Sequence, residues 1–142
     1  MKHLLTFIVM GVMSLFVAKN TSANQAPVVT HNGLEYVDLV VGTGAIAGPD
    51  SVVVVHITGW LNENGQKGKK FISSHDRGKP VSFKIGTERV MKAWNQGIRG
   101  MRVGGKRRIM VPPELGYGSK GVGETIPPDA HLIFEVELLD VK

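Results

Sequence analysis

Ser74-His75-Asp76 spells, in consecutive positions, the three residue types of a nucleophilic hydrolase. Such triads converge from separated positions, whereas neighbours on one loop point apart, so this run predicts no triad. His31, His56, His75 and His131 make no HxxxH or HExxH pair, which predicts no metal site. The absence of cysteine excludes thiolate chemistry and a disulfide framework. Gly42-x-Gly44-x-x-x-Gly48 resembles a nucleotide loop, but a strand follows it where a dinucleotide fingerprint must open a helix. His56, inside the most apolar run, reads as a buried imidazole satisfied by a hydrogen bond. Arg99, Arg102, Lys106, Arg107 and Arg108 fall within ten positions. With no aromatic residues between them they read as a solvated strand and its approach, and no nucleic-acid partner is expected. Tyr117, set among glycines in a long loop, is the residue left as a candidate for chemistry. Any reaction here must proceed without a nucleophile, an acid–base dyad or a metal.

The elements that carry these residues follow from patterning. Alternating or β-branched runs at Leu34–Val41, Ser51–Gly59, Lys69–Ser74, Val81–Ile85, Lys106–Val111 and His131–Val141 predict five or six antiparallel strands. Asn64-Gly65 marks a tight hairpin. Val90, Met91, Trp94 and Ile98 form one apolar helical stripe, with Thr87 as its cap and Gly97 and Gly100 weakening or ending it. His75–Pro80 reads as a polar loop. Pro112–Ala130, with four prolines and four glycines, is a loop long enough to be functional. The expected class is α+β: a curved antiparallel sheet wrapped around one short helix.

Composition agrees, with 42% hydrophobic and 20% charged residues among 142. That excludes a disordered charged tail and a polytopic membrane protein. Eighteen glycines without a Gly-X-Y period fit a turn-rich β protein. Lys2, the apolar run Leu4–Ala18 and the small polar residues through Asn24 have the three-part pattern of a secretory signal. The expected division is a signal peptide over 1–23, a flexible lead-in over 24–30 and one domain over 31–142. No membrane segment is expected after cleavage.

Seven motifs in order complete the pattern. They are Val55-His56-Ile57-Thr58-Gly59-Trp60-Leu61, Gly68-Lys69-Lys70-Phe71-Ile72-Ser73-Ser74, Val90-Met91-Lys92-Ala93-Trp94 and Gly104-Gly105-Lys106-Arg107-Arg108. Pro112-Pro113-Glu114-Leu115-Gly116-Tyr117-Gly118, Ile126-Pro127-Pro128 and Leu132-Ile133-Phe134-Glu135-Val136-Glu137-Leu138-Leu139 follow. Over residues 31–142 the chain resembles the FKBP family, the tacrolimus-binding peptidyl-prolyl cis-trans isomerases, in a bacterial single-domain form. The resemblance implies a pocket with Trp94 as its floor and Phe71, Val90, Met91, Ile126 and Phe134 as its walls. It gives Tyr117 a hydroxyl, and Ile126 a backbone N–H, to donate to a bound peptide. It implies proline-containing polypeptides as partners, a monomer, no cofactor, no metal and a periplasmic or secreted address.

The chain departs from the family pattern at two paired positions. Ile72 stands where the family usually has aspartate, and Ile57 where it usually has tyrosine. Those two side chains are hydrogen-bonded partners in the family, and replacing both members of a buried pair can be nearly neutral. Arg77 then loses an ionic partner and is expected to turn to solvent or to Asp76. Val81 and Leu115 replace aromatic residues seen in the family. Together these changes predict a more apolar pocket, with weakened affinity for tacrolimus or rapamycin. The competing expectation is a weakly active or inactive module of the same fold that binds polypeptide or a partner protein.

Overall fold

The computed structural model describes residues 26–142, so the expected signal peptide lies outside the described residues. Seven strands form one antiparallel sheet: β1 (Val28–Val29), β2 (Glu35–Val40), β3 (Val52–Glu63), β4 (Gln66–Ser73), β5 (Val81–Lys84), β6 (Lys106–Val111) and β7 (Leu132–Val141). Two short helices, α1 (Ser74–Arg77) and α2 (Lys92–Ile98), and a 3-10 turn at Pro113–Leu115 complete the elements. The strand order is β1-β2-β6-β7-β3-β4, with β5 pairing to the first half of β3.

Strand alternation builds the core. Val53, Val55, Ile57 and Gly59 of β3 are buried while their neighbours are partly exposed. Leu132, Phe134, Val136 and Leu138 of β7 meet Ile109 and Val111 of β6 on the same face. Opposite-facing residues of adjacent positions are what a two-residue side-chain period requires. The β3–β4 hairpin turns at Asn64 and Gly65, both with positive φ (55° and 88°). That pairing is the Asn-Gly type I′ turn, whose twist matches that of the flanking strands.

Helix α2 lies against β6 with no room to spare. A methyl on Gly97 would come within 2.6 Å of Ile109 Cδ1, so glycine permits the close approach of helix to sheet. Gly97 is therefore inside the helix as a packing residue and does not end it. The helix is shorter than its apolar stripe suggests. Met91 is its N-cap, Val90 precedes it, and Thr87 Oγ1 accepts from the Arg89 N–H in a local turn and caps nothing. Gly100, with φ 91°, follows the C-terminus.

The basic run is not uniformly solvated as its pattern suggests. Arg107 points inward and is 5% exposed. It pairs with Asp38 through Nε at 2.7 Å, donates from Nη1 to the Gly97 and Arg99 carbonyls, and lies over the Tyr36 ring. Arg107 thus joins β2 and β6 to the C-terminal end of α2, whose last carbonyls have no partner within the helix. Arg108, its neighbour, faces outward to Glu135.

Three further expectations change. Val28–Val29 of the lead-in pair with Tyr36 and Glu35 as β1, and the stretch expected as a polar loop after β4 begins with α1. Ser73 caps α1, its Oγ accepting from the Asp76 N–H. His56 is half-buried on the outer face of β3. Its Nδ1 lies 2.7 Å from Ser74 Oγ, which also accepts from the Ile57 N–H, and its ring stacks on His75. Ser74 is fully buried in these bonds, and Asp76 turns away to Lys70, so the three adjacent residues form no triad.

Candidate active site

An unbroken series of ring contacts crosses the core side of the sheet. Tyr117 meets Phe71 edge-on at 6.3 Å between centroids, and Phe71 meets Phe134 at 5.7 Å. Phe134 meets Trp94 at 5.7 Å, and Trp94 meets Phe83 at 6.0 Å. Three of these four contacts are edge-to-face, the favoured packing of aromatic quadrupoles, and the Trp94–Phe83 pair is tilted at 35°. Four elements supply this series: Phe71 from β4, Phe83 from β5, Trp94 from α2 and Phe134 from β7, with Tyr117 from the loop after the 3-10 turn.

A bulge in β4 places Phe71. Gly59 of β3 pairs with Ile72 and the next residue, Trp60, pairs with Lys70, so Phe71 has no partner opposite. The extra residue breaks strict alternation, and both Phe71 and Ile72 pack against the core cluster. Gly59 makes that possible. A methyl there would lie 2.7 Å from Phe134 Cε1 and 2.8 Å from Ile72 Cγ2. The missing side chain is the space that Ile72 and Phe134 use.

The expected site residues divide by depth. Phe71, Ile72, Val81, Val90, Met91, Trp94 and Tyr117 are half-buried against the core cluster. Ile57, Ile126 and Phe134 are buried, at 1%, 3% and 0% exposure, and back the others. Phe83 was missed. Its signal was present, since Val81, Phe83 and Ile85 alternate onto the face that carries Trp94. Beside the site, a groove of about 350 Å³ is lined by Lys70, Phe71, Ile72, Ser73, Asp76 and Arg77. A roomier groove, about 490 Å³, is lined by residues such as Glu35, Arg108, Met110 and His131, and shares none of the aromatic series.

Polar groups at the site are few. Burial pushes the Tyr117 hydroxyl above the usual tyrosine value of 10.0, so it remains a neutral donor at any physiological pH. The Ile126 N–H is not available as expected, because it donates to the Val122 carbonyl at 3.1 Å while Val122 donates back at 2.8 Å. Met91, at the start of α2, has no side-chain cap. Its own N–H has no acceptor among the described residues, which leaves a backbone donor at the edge of the aromatic series. Among the described residues, one buried side-chain polar atom lacks a partner, Trp94 Nε1. Ile57 and Ile72, packed in or against the core cluster, bring no polar side-chain group to this site. No group of three or more metal-ligating side chains occurs among the described residues.

Residues 44–139 match the family described as FKBP-type peptidyl-prolyl cis-trans isomerase. The chain belongs to this family. An FK506-binding protein of Neisseria meningitidis serogroup B is 48% identical over 109 residues, spanning 77% of this chain and 96% of that protein. The peptidyl-prolyl cis-trans isomerase FPR2 of Saccharomyces cerevisiae is 50% identical over 94 residues, 66% of this chain and 67% of the yeast protein. A crystal structure of AtFKBP13 superposes with TM-score 0.73 at 40% identity, covering 83% of this chain and all of the other. One of FkpA from Escherichia coli superposes with TM-score 0.72 at 32% identity, covering 99% of this chain and 70% of that one. The α+β fold is the FKBP-like fold. The activity is that of a peptidyl-prolyl cis-trans isomerase, and proline-containing polypeptides are what it binds.

Proposed function

We propose that the half-buried aromatic site between α2, β4 and the Tyr117 loop is where this FKBP-type enzyme isomerises X-Pro bonds. The observation that carries this is the ring series Tyr117–Phe71–Phe134–Trp94, which sets a single hydroxyl at one end of an apolar surface. A proline ring enters over Trp94 between Phe71, Val90 and Met91, while Ile57, Ile126 and Phe134 hold those side chains from behind. Ile72 and Val81 extend the apolar wall.

The chemistry needs no covalent step. An amide resists rotation by roughly 18–20 kcal/mol because planarity preserves its resonance, and an unaided X-Pro bond takes tens of seconds or more to turn over. Twisting breaks the resonance and reduces the charge separation between carbonyl oxygen and nitrogen. An apolar site therefore raises the planar ground state more than the twisted state. Donors placed for the twisted carbonyl add differential binding, and the Tyr117 hydroxyl and the Met91 N–H are suited to this. A barrier lowered by about 4 kcal/mol gives roughly a thousandfold acceleration.

The chain acts as a monomer and reaches the periplasm or the exterior of a bacterium after cleavage following Ala23. The N-terminal pattern of one lysine, an apolar run and small residues supports that address. Tacrolimus and rapamycin bind it more weakly than they bind relatives with a carboxylate at the position of Ile72, because one polar contact is gone. The test is isomerisation of a Leu-Pro or Phe-Pro peptide. Activity that is flat from about pH 6 to 9 is expected, since Tyr117 stays protonated throughout. Negligible turnover at every pH would leave a polypeptide-binding module on this fold.

A further inference from the structure

The groove beside the aromatic site carries an uncompensated charge. Of its six lining residues, Phe71 and Ile72 also belong to the aromatic site, so the groove directly adjoins the place proposed for the proline. Three lining residues are charged: Lys70, Asp76 and Arg77. Two of them cancel. Lys70 Nζ lies 2.7 Å from Asp76 Oδ2, and the Lys70 hydrogen bond and charge hold the Asp76 carboxyl below its ordinary value. Arg77 is exposed and makes no ion pair or side-chain hydrogen bond among the described residues. Its guanidinium follows directly on Asp76 at the end of α1, and Gly78, in the left-handed region with φ 70°, turns the chain away behind it. The groove therefore presents one net positive charge, in a planar fork of donors, next to an apolar wall.

We propose that Arg77 is a specificity-determining residue that makes the enzyme favour X-Pro segments bearing an Asp or Glu side chain within a few residues of the proline. The inference rests on the isomerase site described above and adds the chemistry of its substrates. A guanidinium with no internal partner pays nothing to release one, and a carboxylate on the bound chain is matched to its fork. An acidic side chain contributes here through binding the segment, not through bond rotation, so its effect falls on KM more than on kcat.

The test compares paired peptides that differ only by Glu or Gln at positions flanking one X-Pro unit, with a neutral Leu-Pro peptide as reference. At low ionic strength the wild-type protein is expected to prefer the best-placed Glu peptide by about three- to fivefold in kcat/KM, the range of an exposed charge pair. The preference shrinks in 0.5 M salt. Arg77→Gln abolishes it and leaves Leu-Pro turnover unchanged. Asp76→Asn, which frees Lys70, enlarges it. Lys84→Gln removes the same charge from exposed β5 and leaves the ratio as in the wild type, which separates a local effect from net charge. A wild-type ratio near one, a preference that survives Arg77→Gln, or an equal loss in Lys84→Gln would each overturn the proposal. Binding of the same peptides, followed by NMR, reads the preference independently of turnover. Absent Leu-Pro turnover with intact Glu preference would thus count against the isomerase site and not against Arg77.

Discussion

The two faces of the sheet solve opposite problems with adjacent residues. On the core face the site is almost without polar groups: one tyrosine hydroxyl, one indole N–H and the N–H at the start of α2. On the outer face, Glu135 is 10% exposed and receives Lys67 at 2.8 Å and Arg108 at 2.9 Å, with Lys106 at 3.8 Å. His75 Nε2 lies 2.6 Å from Glu137 one row away, and Lys67 also sits over the Trp60 ring. Charged pairs thus gather on the outer face, while the aromatic series lies on the core face. Arg107 is the exception on the core side, and Asp38 and two carbonyls satisfy it away from the aromatic series.

The contrast is broken most severely from the core side. Phe134→Ala removes a ring with no exposed surface and two edge-to-face partners. A loss of about 3–5 kcal/mol in denaturant unfolding is expected, together with most of the activity. Arg107→Met leaves Asp38 and the carbonyls of Gly97 and Arg99 without their donor. A destabilisation of about 3 kcal/mol is expected, with kcat/KM of the folded fraction falling less than stability does.

Tyr117→Phe sharpens the comparison, because it removes the hydroxyl and keeps the ring contact with Phe71. A fall of about tenfold in kcat/KM is expected, equivalent to about 1.4 kcal/mol of transition-state binding, with stability almost unchanged.

The outer face is expected to answer to pH. Burial alone would raise the Glu135 carboxyl, but the hydrogen bonds and charges of Lys67 and Arg108 outweigh it and hold the group below its usual 4.5. A carboxylate lowered in the folded state contributes stability above its unfolded value, and that contribution is lost as acid protonates it. Wild-type unfolding should therefore show a stability that declines below about pH 4.5, and Glu135→Gln should flatten that decline with little effect on isomerisation at neutral pH. This is the smallest of the four effects.

Much of the fold was legible because alternation is strong in β3, β6 and β7; the predicted span Lys106–Val111 is the observed β6. The helix was legible in type but not in extent, since Val90 packs on the core from a turn and only resembles a helical position. What alternation could not reveal was the β4 bulge. A regular strand puts Phe71 and Ile72 on opposite faces, and only the register with Gly59 and Trp60 shows that both reach the core. The opposite fates of Arg107 and Arg108 were in principle readable from the same alternation, but a run of like charges masked it. The Met91 donor depends on where α2 begins, and helix starts without a polar cap leave little trace in sequence.

On the proposed mechanism, apolar surroundings and one or two donors suffice, without the carboxylate that the family usually has at the position of Ile72. The most direct measurement is kcat/KM for a Leu-Pro peptide with the wild-type protein beside Ile72→Asp. Clear wild-type activity, scarcely changed by the aspartate, is the predicted result. A nearly silent wild type restored by Ile72→Asp would contradict it and place the catalytic requirement on the lost carboxylate.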